Sequence, residues 1–266
     1  MKIDILGAGL TDIGRKRKQN EDNFLCDLSS RLFIVADGMG GRALGETASK
    51  VVVTLFPLML KESLSLLSTF TPDSIMSLLH ETLCRLSRDL YQQSQKLPEL
   101  KGLGSTAAIL FIRDDVAYIA YAGDSRIYLL RDTSLLQITE DQTTAAALVR
   151  IGRLSPDVAD HHPLRHALEE YVGKEGRLNP GIHYKKLCVG DRWLMCSDGL
   201  TKGVTEEQLR ELLLQHPTPE DTCQSLISTA KEADGTDNIT AIVIDITRNT
   251  KIVTENESCL NKKIEH

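Results

Sequence analysis

The chain has 266 residues, enough for one large core or two small ones, and its 41% apolar and 26% charged content excludes low-complexity and fibrous classes. A net charge of −6 argues against a dedicated nucleic-acid binder. The six cysteines (Cys26, Cys84, Cys188, Cys196, Cys223 and Cys259) form no CxxC pair, so free thiols in a reducing compartment are expected rather than a disulfide framework.

No apolar run is long enough to span a bilayer, and Met1-Lys2-Ile3-Asp4-Ile5 lacks the n-region and h-region of a signal peptide. A cytoplasmic protein with no membrane partner and no nucleic-acid partner is expected.

In chain order, Ile3-Asp4-Ile5-Leu6-Gly7 reads as a strand. Gly7-Ala8-Gly9 invites a dinucleotide-binding reading. The third glycine is misplaced, and the polar, basic residues 11–17 are no amphipathic helix, so that reading is rejected. Arg15-Lys16-Arg17-Lys18 then leads to Asn20-Glu21-Asp22. Alone this is a solvated basic loop; it becomes an anion site only if other groups converge on it. Residues 23–26 and 32–36 form two arms of a hairpin, which brings Glu21-Asp22 and Asp37 to one edge.

Asp37-Gly38-Met39-Gly40-Gly41 closes the second arm. An acid at the end of a buried strand is costly unless something pairs with it. The glycines after it allow a sharp bend and close approach to a ligand. The following Gly40-Gly41-Arg42-Ala43-Leu44-Gly45-Glu46-Thr47 is a near miss for a P-loop, because Glu46 stands where lysine is required.

Residues 45–69 and 72–96 read as two amphipathic helices, the second with Ile75, Leu78, Leu79, Leu83, Leu86 and Leu90 on one face. From Gly104 the period shortens. Strands are expected at 107–112, 116–122, 127–130 and 135–138, joined by short turns into an antiparallel meander. Asp124 interrupts it between glycine and serine, where an isolated aspartate is usually a turn cap.

Residues 143–173 start helically and then run through Gly152, Pro156 and Pro163 without a long apolar period, as expected of an insertion lying over a surface. His162 and His166 have zinc-ligand spacing, but Pro163 follows the first and no glutamate lies between, so a zinc site is rejected. Strands follow at 182–188 and 193–200, the latter ending in Ser197-Asp198-Gly199-Leu200. Thr205 with Gln208 forms a capping box. A helix is expected at 219–233, then Asp237-Asn238 enters a last strand at 239–246.

Asp37, Asp124, Asp198 and Asp237 thus recur at strand ends, with Glu21-Asp22 close by. Each alone reads as a turn aspartate. Together, carboxylates at one rim repel unless divalent cations neutralise them. All-oxygen ligation suits Mg²⁺ or Mn²⁺ and not zinc or copper. Two such ions about 3.5–4 Å apart can ionise a bridging water for in-line attack on phosphorus. The basic run 15–18 would then hold the phosphate oxygens.

These stretches, with Arg17-x-x-Asn20-Glu21-Asp22, Gly104-Ser105-Thr106, Ala122-Gly123-Asp124-Ser125-Arg126 and Asp237-Asn238-Ile239-Thr240, resemble the bacterial kind of metal-dependent protein phosphatase, type 2C, over residues 11–246. The resemblance implies an α+β fold of four layers, α-β-β-α, with two antiparallel β-sheets flanked by helices. It implies one catalytic domain over 1–246 with a flap at about 143–173; residues 247–266 are polar, with no hydrophobic period, and read as a flexible tail. Asp37, Asp198 and Asp237 would be catalytic and would bind two Mn²⁺ or Mg²⁺ ions, Asp37 bridging them and Gly38 adding its carbonyl. Asp124 would bind, with Asp198, a third and weaker ion. Glu21 and Asp22 would act through metal-bound water or from behind the ligands, and Arg17 would bind the substrate phosphate.

The implied activity is hydrolysis of phosphoserine and phosphothreonine in proteins by direct attack of a metal-bridging water, opposing a bacterial serine/threonine kinase, in a monomer. Two departures from the family pattern stand out. Met39 replaces a histidine that serves eukaryotic relatives as a candidate general acid, as it does in bacterial members. Gln142 stands after Asp141 where histidine often follows. An adaptor that has lost catalysis would lack metal ligands, and none is missing here. A two-metal nuclease would carry a basic stripe and stacking aromatics, and the chain has neither.

Overall fold

The computed structural model describes residues 3–40, 44–159 and 161–248. Three strands, β1 (Ile3–Asp12), β2 (Asp22–Asp27) and β3 (Leu32–Met39), precede two long helices, α1 (Leu44–Ser65) and α2 (Pro72–Lys96). Strands β4 (Gly104–Ser105), β5 (Ala107–Arg113), β6 (Val116–Ala122), β7 (Arg126–Arg131) and β8 (Ser134–Gln137) follow. Short helices α3 (Thr144–Arg150) and α4 (Pro156–Ala159) lead to β9 (Gly181–Lys186) and β10 (Arg192–Cys196). The described chain closes with α5 (Asp198–Gly203), α6 (Glu206–Gln215), α7 (Pro219–Ala233) and β11 (Ile239–Arg248).

The strands form two antiparallel sheets. One has the order β1-β11-β10-β7-β8; the other has β2-β3-β5-β6-β9, with β4 pairing β3. Strand period explains why both sheets are so apolar. On β3, Leu32, Ile34 and Ala36 face α1 and α2, while Phe33 and Val35 face the other sheet. On β11, Ile242, Ile244 and Ile246 face the first sheet's partner, and Ile239, Ala241 and Val243 face α5, α6 and α7. A strand buried on both sides must read as a continuous apolar run. The result is the expected four-layer α-β-β-α sandwich, with Trp193 fully buried between the sheets.

Helix starts follow local chemistry. Thr71 caps α2 in a capping box with Ser74, and Pro72 occupies the first turn. Thr205 and Gln208 form the expected capping box on α6. Gly9 lies inside β1 because a Cβ there would come within 2.5 Å of the Phe24 ring. Close packing, not dinucleotide binding, is what this glycine serves.

Three expectations are corrected. The meander divides: β5 and β6 lie in one sheet and β7 and β8 in the other, so the chain changes sheets at Gly123-Asp124-Ser125. The expected strand at 193–200 stops at Cys196, and Asp198 opens helix α5 instead. Helix α1 ends at Ser65 rather than near 69. The expected tail is described only at Thr247 and Arg248, which finish β11; its remainder lies outside the described residues, as does Gly41 of the glycine-rich stretch.

Candidate metal centre

Strands β2 and β3 pair so that Asp22 and Asp37 are Cα partners across the ladder. Carboxylates directly opposite each other repel. Asp22 Oδ2 accepts hydrogen bonds from Ser197 Oγ and Thr240 Oγ1, both at 2.7 Å. Thr240 lies in β11 and Ser197 directly follows β10, both of the other sheet, so Asp22 ties the two sheet edges together. Its Oδ1 is buried with no hydrogen-bond partner among the described residues. Burial, opposed by the two hydroxyls and reinforced by the charges of Asp198 and Asp237, lifts the Asp22 carboxyl to about 6.

Asp37 donates its backbone N–H to Thr106 Oγ1 at 2.9 Å, and its carbonyl accepts from the Thr106 N–H at 2.8 Å. Burial pushes its carboxyl well above the usual range. The charges of Asp22, Asp198, Asp124 and Asp237 push it the same way. Asp37 is therefore the point on which four other acids act.

Gly38 and Gly45 let backbone and carboxylate converge. A Cβ on Gly38 would meet the Gly45 carbonyl at 1.9 Å. A Cβ on Gly45 would come within 2.7 Å of the Gly38 carbonyl oxygen and 2.8 Å of Glu21 Oε1. Side chains at these positions would fill the space into which the Gly38 carbonyl and the Glu21 carboxylate both project.

Asp198 and Asp237 share one ammonium. Lys202 Nζ lies 2.6 Å from Asp198 Oδ2 and 2.9 Å from Asp237 Oδ2. Asp198 Oδ1 is buried without a hydrogen-bond partner among the described residues. Burial alone would raise the Asp237 carboxyl, but Lys202, the Asn238 N–H and Arg17 outweigh it and hold it below the ordinary range. Arg17 reaches Asp237 Oδ1 at 2.7 Å and Glu21 Oε2 at 3.9 Å, with its side chain 45% exposed.

Asn238 sets this loop in place. Its Nδ2 donates to the Ile13 and Gln19 carbonyls at 3.0 Å, and its Oδ1 accepts from the Glu21 N–H at 2.8 Å.

Asp124, at the change of sheets, is buried. Burial and the charges of Asp198 and Asp141 lift its carboxyl to about 7. Ligand atoms of Asp124, His166 and Asp198 lie within 4.8 Å of one another. His166 Nδ1 is 3.6 Å from Asp198 Oδ2. These residues line a cleft of about 590 Å³ that Arg126, Arg165 and Lys202 also border.

The segment 143–173 forms one wall of the cleft and is closed at its base by the bridges Thr143↔Leu168 and Ser105↔Val172. Gln142 fastens its root. Its N–H and its Oε1 bond the Gly123 carbonyl and N–H, both at 3.0 Å, and its Nε2 donates to the Asn179 carbonyl at 3.2 Å. Arg126 holds Asp141 through two contacts of 2.9 and 2.7 Å. The amide at 142 thus does the work of two polar contacts where the family pattern often has histidine.

The carboxylates marked in the sequence converge: Asp22, Asp124, Asp198 and Asp237 all act on Asp37. Glu21 and Arg17 lie beside them. A donor set made of carboxylates and a carbonyl, with two buried carboxylate oxygens lacking partners, fits hard divalent cations such as Mn²⁺ or Mg²⁺. Sequence reasoning missed Lys202, Asn238, and the hydroxyls of Thr106, Ser197 and Thr240. Thr106, Ser197, Asn238 and Thr240 lie inside the motif stretches, which marked their positions but not their bonds; Lys202 had no signal of its own.

The protein phosphatase 2C family model matches residues 14–231. The chain is 34% identical over 238 residues to the serine/threonine phosphatase stp of Listeria monocytogenes serotype 4b (strain F2365), spanning 88% of this chain and 93% of that protein. The crystal structure of the serine/threonine phosphatase Stp1 from Staphylococcus aureus superposes with a TM-score of 0.82 at 30% identity, covering 93% of this chain and 98% of that one. The catalytic domain of the serine/threonine protein phosphatase PstP, in complex with two manganese ions, gives a TM-score of 0.77 at 31% identity, covering 93% and 100%.

Proposed function

The chain belongs to the protein phosphatase 2C family, and from that premise we propose a division of labour among the residues of its cleft. It is a metal-dependent protein serine/threonine phosphatase, acting on phosphorylated proteins. Asp37, Asp198 and Asp237, with the Gly38 carbonyl, hold two divalent cations, Mn²⁺ or Mg²⁺. Asp37, on whose carboxylate burial and four other acids act, would gain most from that positive charge. Asp124 and Asp198 hold a third, weaker ion. Glu21 and Asp22 contribute through water or from behind the ligands. The observation that carries this reading is the pair of partnerless buried oxygens, Asp22 Oδ1 and Asp198 Oδ1, inside a cluster of mutually repelling carboxylates.

When bound, the cations supply Lewis-acid chemistry that ionises water near neutral pH and neutralises the phosphate, so that the phosphoryl group passes directly to water. Arg17, half-exposed at the edge of the carboxylates, binds the phosphate's free oxygens through its planar fork. Met39 has no proton to give to the leaving alkoxide. The segment 143–173 meets the substrate protein beside the cleft. No helix among the described residues is long and apolar enough to cross a membrane. We place the enzyme in the cytoplasm, as a monomer opposing a serine/threonine kinase.

The test compares phosphopeptide with nucleic acid as substrate, with and without Mn²⁺, for the wild type, Asp37→Ala and Asp198→Ala. Metal-dependent phosphate release from the phosphopeptide alone, lost in both variants, is expected. Near-normal turnover in either variant overturns the assignment.

A further inference from the structure

We propose that Lys202 competes with the divalent cation for Asp198 and Asp237 and so sets the metal concentration at which the site fills. The inference rests on the metal reading above and concerns a residue to which that reading gives no part.

Lys202 stands four residues after Asp198 on α5, which brings its ammonium onto the same face. Its Nζ contacts Asp198 Oδ2 at 2.6 Å and Asp237 Oδ2 at 2.9 Å. The side chain is only 23% exposed, so solvent screens this charge weakly. Arg17 contacts the other oxygen of Asp237, which leaves both Asp237 oxygens facing a cation of the protein's own.

A positive charge in contact with two carboxylates stabilises their ionised form. It also repels any further cation approaching the same oxygens. Lysine suits a displaceable role. Its charge is a point on a flexible four-carbon stem, without the planar fork that would lock it to one carboxylate. It borders the 590 Å³ cleft, which offers the ammonium somewhere to move. A purely structural ion pair, holding α5 against the loop before β11, would predict loss of stability on removal but no gain in metal affinity.

The test is Mn²⁺ titration by calorimetry on the full chain for wild type, Lys202→Met, Lys202→Gln and Lys202→Arg, with melting temperatures recorded in chelator and in Mn²⁺. Lys202→Met and Lys202→Gln are expected to bind their tightest Mn²⁺ at least roughly tenfold more tightly than wild type. Lys202→Arg, which keeps the charge, should remain within about threefold of wild type. The rise in melting temperature on adding Mn²⁺ should be larger in Lys202→Met than in wild type, because its tighter binding adds stability only to the folded chain.

Equal or weaker Mn²⁺ binding by Lys202→Met and Lys202→Gln overturns the proposal. So does Lys202→Arg binding as tightly as Lys202→Met, or failure of both neutral variants to fold. A folded wild type that binds no Mn²⁺ would overturn the metal reading itself, and this inference with it; wild-type binding with no change in the variants overturns the inference alone.

Discussion

Asp22 and Asp37 face each other across adjacent strands, and of the two only Asp22 has, among the described residues, side-chain hydroxyls, Ser197 and Thr240, bonded to its carboxylate. Thr106 bonds the Asp37 backbone and leaves its carboxylate to the other acids. Asp37→Asn removes a charge repelled by four neighbours. The metal-free variant is expected to melt no lower than wild type, while Mn²⁺-dependent phosphopeptide hydrolysis falls by at least roughly a hundredfold. Scanning fluorimetry and a phosphate-release assay check both halves. A less stable variant with intact turnover would contradict the assignment.

Stability of the metal-free chain should fall as pH rises through neutrality. The Asp22 and Asp124 carboxyls titrate at about 6 and about 7 in the folded chain, against 3.8 ordinarily. Between those values the folded state binds more protons than the unfolded state, which makes stability decrease with pH. The contribution is complete below about pH 4 and gone above about pH 7. In chelator, urea unfolding should show at least about 1 kcal/mol more stability at pH 5.5 than at pH 7.5. Saturating Mn²⁺ should narrow or reverse the difference, because it binds the ionised carboxylates. An equal or higher midpoint at pH 7.5 in chelator would contradict the expectation.

Thr240→Val keeps the shape of the side chain and removes one hydroxyl from a buried carboxylate. The expected loss is about 1–3 kcal/mol in urea unfolding. Ser197→Ala should cost about as much, because each hydroxyl has a second partner: Ser197 Oγ accepts the Thr240 N–H at 3.0 Å, and Thr240 Oγ1 bonds Thr11 Oγ1 at 2.8 Å. A change below about 0.3 kcal/mol in both would remove Asp22 from the tie between the sheets.

Arg17→Ala should raise the KM for phosphopeptide by about tenfold and, by freeing Asp237 Oδ1, tighten rather than weaken Mn²⁺ binding. Arg17→Lys should recover only part of that loss, because an ammonium cannot make the two parallel contacts of a guanidinium. Steady-state kinetics beside a Mn²⁺ titration separates the two effects. Unchanged KM in Arg17→Ala would exclude the guanidinium from phosphate binding.

Much of the fold was legible because the central strands are buried on both faces, so β3, β5, β6 and β11 stood out as apolar runs. Capping chemistry marked α6, and an amphipathic period marked α2. What local pattern could not carry was which sheet a strand joins. The three-residue connection Gly123-Asp124-Ser125 looks like a hairpin turn, yet it passes the chain from one sheet to the other. Asp198 shows a related limit. An apolar run followed by Asp-Gly reads as a strand end, and only tertiary packing, with Leu200 buried among the residues of α6 and α7, turns it into a helix start.

The carboxylates were legible because they recur together at strand ends; each alone reads as a turn aspartate. Lys202 was not, because a lone lysine after a glycine-rich turn reads as a solvated side chain. Its meaning came from Asp237, 35 residues away in sequence.

The change of sheet at Asp124 makes the site a joint property of two separately hydrogen-bonded layers. Asp22 and Asp37 arrive from one, Asp198 and Asp237 from the edge of the other. In the proposed metal reading, neither layer supplies all of the ligands. A bound ion would therefore act as a latch on the mating of the layers, and amide exchange along β3 and β11 should slow together when it binds, as one cooperative unit rather than two.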